Sequence, residues 1–219
     1  MSKRKLENFF QPMLCETGTE ASLDKKGYVA ELKVDGTCCI AERLLNGELR
    51  IYGRRGLIYN DILTEITEAL EKIPNPFRLH GEIVYIDDNG HMIFAGSQKR
   101  CQISNPKKVA EYRKLYPVGL YLFDIIMLNG IDLKSLPYIK RRRILEHFVK
   151  LNTALYNLQT LRIVPMSTNV KELYQWAISH GFEGIVMKNI MSPYVQKRSW
   201  YWIKVKVRDH TPFILSSKD

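Results

Sequence analysis

The chain has 219 residues, 45% of them hydrophobic and 26% charged. That is long enough to close a real core without disulfide staples, and too ordinary in composition for a disordered, collagenous or coiled-coil chain. Lys and Arg number 33 against 23 Asp and Glu, a net charge of +10; such a surplus favours polyanionic partners such as nucleic acid, nucleotides or an acidic membrane face. No apolar run nears the roughly 20 residues that span a bilayer, and no apolar signal core follows the basic start Met1-Ser-Lys-Arg-Lys.

Strand patterns dominate the first half. Residues 28–35 alternate, and runs 39–45 and 48–52 flank Asn46-Gly47, the strongest short hairpin signal. Residues 61–73 place Ile62, Ile66, Ala69, Leu70 and Ile73 on one helical face and stop before Pro74. Runs 79–86 and 91–94 around Asp87-Asp88-Asn89-Gly90 predict a second hairpin, and 106–115 predicts a helix opened by Pro106. The apolar stretch 120–128 reads as a buried strand. A basic amphipathic helix is expected over 137–151 and another over 169–179, closed by His180-Gly181. Strands return at 184–187 and 201–207. This order predicts an α+β fold with largely antiparallel sheets and flanking helices. No GxGxxG or Walker A loop is present.

The cysteines, Cys15, Cys38, Cys39 and Cys101, form no CxxC pair and no zinc-type cluster with His. Reduced thiols in an intracellular compartment are expected. Cys38 and Cys39, adjacent on a strand, would face opposite ways.

Chemistry concentrates in a few places. On a strand, Glu31, Lys33 and Asp35 share one face and Ala30, Leu32 and Val34 the other. Such a row is either the solvated face of an edge strand or a site holding a lysine between carboxylates, followed by a Gly that lets the chain turn. Trp202, Lys204 and Lys206 repeat the pattern, and two lysines at i and i+2 can clamp phosphate oxygens from one side. Glu82 and Glu183 are lone acids at apolar strands. A carboxylate there is costly to bury unless paired, so both could converge on a divalent ion or lie at exposed strand starts.

Taken in order, these residues resemble the motifs of the adenylation (nucleotidyltransferase) domain of ATP-dependent DNA ligases, of the small bacterial or archaeal type. Lys33-Val34-Asp35-Gly36 is similar to the KxDG nucleophile motif, Arg54-Arg55-Gly56 to RxG, and Gly81-Glu82 to the third motif. Leu122-Phe123-Asp124 resembles the aromatic motif, Glu183-Gly184 through Lys188 the fourth, and Trp202-Ile203-Lys204-Val205-Lys206 the fifth. The resemblance covers residues 11–207, and Pro12-Met13-Leu14 resembles the opening of small members.

The resemblance implies a mechanism. Lys33 would attack the α-phosphorus of ATP to give lysyl-AMP. The AMP would pass to the 5′-phosphate of a nick in double-stranded DNA, and the 3′-hydroxyl would displace it. A lysine is nucleophilic only when neutral, and Lys204, Lys206, a magnesium ion and partial burial would all favour that form. Asp35 belongs to the nucleophile motif. Phe123 would stack on adenine, Glu31 contact the base, Arg54 reach ribose or a nick phosphate, and Glu82 hold the ribose or a metal. Glu183 would support Mg2+, and Lys188 would be a third phosphate contact. Two positions depart from the pattern: Cys38 stands where the family has Arg, and His80 where it has Asp. The neutral thiol bears on nick joining more than on lysine adenylation.

The resemblance divides the chain into an N-terminal basic/aromatic segment (1–10), the adenylation domain (11–207) and residues 208–219, where an OB-fold domain would begin. The chain would be an excised catalytic domain or a natural minimal form, monomeric and cytoplasmic. Related chemistries are RNA ligation and GTP-dependent mRNA capping; another class is a nucleic-acid-binding module with reduced catalysis. Leu6, Phe9 and Phe10 resemble a box that binds the sliding clamp, with Lys3 where Gln is usual. The alternative is that these side chains cover the domain's own core.

Overall fold

The computed structural model describes residues 5–207; expectations for 1–4 and 208–219, Lys3 of the box included, lie outside them. Strand β1 (Leu14–Thr17) leads through a 3-10 turn (Glu20–Asp24) into β2 (Tyr28–Leu32), β3 (Thr37–Arg43) and β4 (Leu49–Gly53). Helix α1 (Thr64–Glu71) precedes the long β5 (Phe77–Tyr85), then α2 (Phe94–Cys101) and α3 (Val109–Leu115). The chain continues through β6 (Val118–Leu128), β7 (Ile131–Asp132), α4 (Tyr138–Tyr156), β8 (Leu161–Ile163) and β9 (Met166–Ser167). It closes with α5 (Val170–Ser179), β10 (Gly184–Asn189) and β11 (Arg198–Lys206).

The strands form two sheets. One has the order β1-β11-β10-β2-β9; the other runs β4-β3-β5-β6-β7, with β8 beside β6. Pairing is antiparallel except for β1 with β11 and β6 with β8. The α+β expectation therefore holds. The main core lies on one side of the second sheet, where Ile66, Leu70, Phe77, Leu79, Leu120, Leu122 and Ile125 are fully buried. Burial of each such side chain contributes about 1.5–3 kcal/mol. A second core under the first sheet joins Ala30, Leu32, Ile185, Met187, Ile203 and Val205 to Val170, Tyr174 and Ala177 of α5, the i, i+4, i+7 spacing of one helical face.

Local chemistry sets the element ends. The Asn169 side chain caps α5 by accepting from Glu172 N at 3.2 Å. Asn60 ties back to β4, accepting from Ile51 N at 2.9 Å and donating to Leu49 O at 3.0 Å, so α1 starts at Thr64 rather than at 61. The Asn46-Gly47 hairpin forms as expected between β3 and β4.

The second hairpin is corrected by the structure. Its turn exists: Asp87 Oδ1 accepts from Asn89 N at 3.0 Å and His91 N at 2.8 Å. The returning arm makes only an isolated Ile86–Met92 bridge and enters α2 at Phe94. Helix wins there because Gly96 lies directly against the Tyr85 ring, where a Cβ would come within 2.1 Å. That contact seats Ser97, Arg100 and Cys101 in the interior. Helix α4 also runs past 151, to Tyr156, and ends on Asn157 in the left-handed region at φ 52°.

Leu6, Phe9 and Phe10 pack onto a third cluster built from Met13, Ile40, Tyr52, Ile126, Tyr194 and Trp202. In this structure they cover the domain's own core.

Candidate active site

Strand register assembles the site. β10 lies between β11 and β2, with Gly184 opposite Lys206 and Ile185 opposite Leu32. Lys33, one residue past β2, donates its backbone N–H to Gly184 O at 2.9 Å. Three chain segments thus bring Lys33, Glu183 and Lys206 to one point. The Glu183 carboxylate pairs with Lys33 Nζ through Oε2 and, at 2.5 Å, with Lys206 Nζ through Oε1. Burial would raise the Glu183 pKa, but the two ammonium groups outweigh it and hold it below the usual carboxylate value. Gly184 is required here: its φ is +140°, and a Cβ would meet Val205 O at 2.1 Å. A Cβ at Gly36 would lie 2.3 Å from Ile83 O, so the loop after Lys33 presses against β5.

These residues line a cleft of about 890 Å³ between the two sheets, within the usual size range of small-molecule sites. All ten expected site residues line it: Glu31, Lys33, Asp35, Arg54, Glu82, Phe123, Glu183, Lys188, Lys204 and Lys206. Arg54 is exposed, while Phe123 and Lys204 are half-buried. Burial raises the Glu82 carboxyl to about 8, against the opposing pull of Lys33 and Arg54. Among the described residues, no group of three or more His, Cys, Asp or Glu is placed to hold a metal. Mg2+ bound with nucleotide needs only one or two carboxylates beside phosphate oxygens. Glu183, an acid among cations, fits that role, and Glu82 lines the same cleft.

The far end of the cleft differs from a solvated edge. Glu31 is buried on an interior strand, not an exposed one. Its Oε2 pairs with Lys188 Nζ and its Oε1 with Arg142 Nη1, each at 2.6 Å, and Tyr138 Oη donates to Oε1. Lys188, expected on phosphate, is buried; it also donates to Phe123 O at 3.1 Å and lies 4.2 Å from the Trp202 ring centroid. Burial lowers its pKa while Glu31 acts to raise it. The alternation of Glu31 with Lys33 and Asp35 stops at Leu32, where β2 ends. Beneath this layer Arg141 and Asp124, both fully buried, form a two-bonded pair at 2.8 and 2.9 Å.

The two departures from the family pattern touch each other. Cys38 Sγ lies 3.3 Å from His80 Nε2, while His80 Nδ1 pairs with Tyr194 Oη at 2.9 Å. His80 also stacks on Trp202 with centroids 5.7 Å apart. Burial holds His80 well below its usual pKa and the Cys38 thiol well above its own. Neutral side chains therefore meet at the two positions where the motif resemblance implied Arg and Asp. Cys39 faces the main core, as alternation required, and all four cysteines are free thiols.

Residues 12–206 match the sequence profile of the ATP dependent DNA ligase domain. The chain belongs to that family. The ligase domain is 31% identical over 221 residues to a DNA ligase of Caldivirga maquilingensis, covering 95% of this chain and 36% of that protein. It is 32% identical over 190 residues to DNA ligase 1 of Methanosarcina mazei, covering 81% of this chain and 32% of the relative. It thus spans about a third of the length of these curated relatives. Among solved structures, mycobacterial DNA ligase D complexed with ATP and MES superposes with a TM-score of 0.69 at 25% identity, covering 90% of this chain and 60% of that one. The ATP-dependent DNA ligase of bacteriophage T7 in complex with ATP shares the fold, with a TM-score of 0.65 at 16% identity over 90% of this chain and 68% of the other. Among the described residues, no helix is long and apolar enough to cross a membrane.

Several participants escaped the sequence reading: Tyr138, Arg142 and Arg141 of α4, and Tyr194. The basic amphipathic helix expected over 137–151 did not single out Arg141 and Arg142 as the buried members. The overlooked signal was Asp124 within an apolar strand, which needs a buried cation nearby.

Proposed function

We propose that the domain transfers AMP from ATP to Lys33 and then to the 5′-phosphate of a nick in duplex DNA. The observation that carries this reading is the Lys33–Glu183–Lys206 cluster at the cleft. It provides a nucleophile, a carboxylate that orients it and a cation for the phosphate, all within contact distance. For attack, the Lys33 ammonium must lose a proton to solvent, and the Glu183 carboxylate hydrogen-bonded to it fixes the position of Nζ. The Nζ lone pair then forms a P–N bond to the α-phosphorus as the α–β phosphoanhydride breaks and pyrophosphate leaves. Lys204 and Lys206 offset charge developing on the phosphate oxygens. Phe123 flanks the base, Glu31 and Lys188 form the polar wall beside it, and Arg54 and Glu82 take the ribose side. Glu183 would hold Mg2+, whose contribution is further neutralisation of the phosphates.

In the second step an oxygen of the nick 5′-phosphate attacks the lysyl-AMP phosphorus, and the P–N bond breaks as Nζ regains a proton. The 3′-hydroxyl then attacks the activated 5′-phosphorus and expels AMP. The net charge of +10 suits a duplex partner. The test is incubation with α-labelled ATP or GTP followed by a denaturing gel. Label from ATP, chased onto nicked DNA, is the expected result. Label from GTP alone would make this a capping-type enzyme, and no label a binding module.

A further inference from the structure

The segment before β1 is tied to one turn of the active site. Leu6 N donates to Gly56 O at 2.9 Å, and Lys5 bridges Leu57 in antiparallel register. Phe9 meets the Tyr52 ring edge-on, with centroids 5.7 Å apart, and fills the space beside Gly56. A Cβ on Gly56 would lie 2.7 Å from the Phe9 ring, and Gly56 adopts φ +76°, a conformation that favours glycine. Phe10 N donates to Tyr52 Oη at 3.3 Å. The Phe10 ring lies under Arg78, 4.5 Å from its guanidinium carbon, and 5.8 Å from the Tyr194 ring. Backbone, ring and glycine thus all meet at the turn that carries Arg54 into the nucleotide cleft.

Arg54 is exposed and stands just past the end of β4. Its turn is closed at the base by Gly56 N donating to Gly53 O at 2.8 Å, by Gly53 N donating to Leu57 O at 3.1 Å and by the Tyr52–Ile58 bridge, and residues 5–9 add their contacts at Gly56 and Leu57. A long exposed side chain on a short turn loses rotamer freedom when it binds a ligand, so any contact that fixes the turn lowers that cost. We propose that residues 5–10 form a strap that holds the Arg54-Arg55-Gly56 turn in its ligand-binding conformation, with Phe9 the positioning residue for Arg54. This rests on the adenylation reading above. It also gives the Leu6, Phe9 and Phe10 pattern an internal purpose: a partner that took up these side chains would have to peel the strap from Gly56 and release Arg54.

The test compares Phe9→Ala, Phe9→Leu, Arg54→Ala and the Phe9→Ala/Arg54→Ala double variant. Self-adenylation of the wild type is measured first, because its absence would count against the adenylation reading rather than the strap. Arg54 acts on bound nucleotide, so Phe9→Ala should raise KM for ATP by roughly 3- to 10-fold, the scale of one aromatic contact, with kcat nearly unchanged. Phe9→Leu, which keeps the space beside Gly56 filled, should restore most of the KM. In the Arg54→Ala background Phe9→Ala should add less than about twofold, since the two act through one contact. Hydrogen exchange supplies a readout independent of activity. In Phe9→Ala the peptide spanning Arg54–Leu57 should lose protection while the β5 peptide keeps it. A Phe9→Ala effect that multiplies with Arg54→Ala, or unchanged protection at 54–57, would overturn the proposal.

Discussion

Replacing Glu31 by Gln tests the buried wall of the cleft. The substitution keeps the shape of the side chain and removes its charge, while Lys188 and Arg142 stay 1% and 4% exposed. Removing one partner of a buried ion pair costs about 3–5 kcal/mol, because the remaining charge is left uncompensated. Here the lower end applies. Arg142 keeps Glu146 at 2.7 Å and Val164 O at 2.8 Å, and Lys188 keeps Phe123 O and the face of Trp202. For a chain of this length each kcal/mol moves Tm by about 2–4 °C, so a fall of roughly 6–12 °C is expected. The assay is thermal unfolding at low and high salt. The fall should be the same in both, since a pair this deep is barely screened. Adding Lys188→Met should recover part of the loss, since both charges are then gone. A shift under about 2 °C, or one that vanishes in high salt, would mean the group is hydrated and the wall is not a buried ion network.

Three further outcomes follow from the cleft. Glu82 titrates near 8 when folded against 4.5 ordinarily; its folded form binds the proton more tightly, so its stabilising contribution is complete below 4.5 and is lost as pH rises through 8. The Tm advantage of Glu82→Gln over wild type should therefore widen from about pH 6 to about pH 9, and an advantage that does not change with pH would refute the buried-acid assignment. Lys206→Ala leaves Glu183 paired with Lys33 alone and removes a phosphate cation, so lysine adenylation should slow by roughly 100-fold; a rate within threefold of wild type, as a rough limit, would remove Lys206 from that role. Affinity for nicked duplex, measured by anisotropy, should fall steadily with rising salt as phosphate contacts release counterions, and a flat response would exclude a phosphate-gripping surface.

Much of the site was legible because its chemistry is local. Lys33 with Asp35-Gly36, Glu183-Gly184 and Trp202 through Lys206 each announce a strand end, and antiparallel pairing brings strand ends together. The Asn46-Gly47 hairpin followed from its turn residues, and α5 from a helical run closed by His180-Gly181. What escaped depends on long-range burial. Arg141 and Arg142 look solvated until Asp124 and Glu31, distant in sequence, are placed under them. The pairing of Lys188 with Glu31 likewise needs the register of β10 on β2. Helix α2 was hidden because Gly96 weakens helix propensity, and only its fit against Tyr85 decides the matter. Strands β7 and β9, two residues each, are too short to carry a period. The Cys38–His80 contact was out of reach for the same reason: both departures were visible, but not that β3 and β5 bring them together.

The central claim is that Lys33 is the nucleophile, and the most direct measurement is to locate the AMP. The chain is incubated with ATP and magnesium, digested, and its peptides mapped by mass spectrometry, beside Lys33→Ala. Lys33 is partly exposed, with 22% of its side chain accessible, and packs little, so the variant should fold with an unchanged far-ultraviolet spectrum. The expected result is a single AMP-bearing peptide containing Lys33, labile to acid as a phosphoramidate should be, and no adduct on the variant. An adduct on Lys204, Lys206 or any other residue, or an adduct that persists in Lys33→Ala, would contradict it.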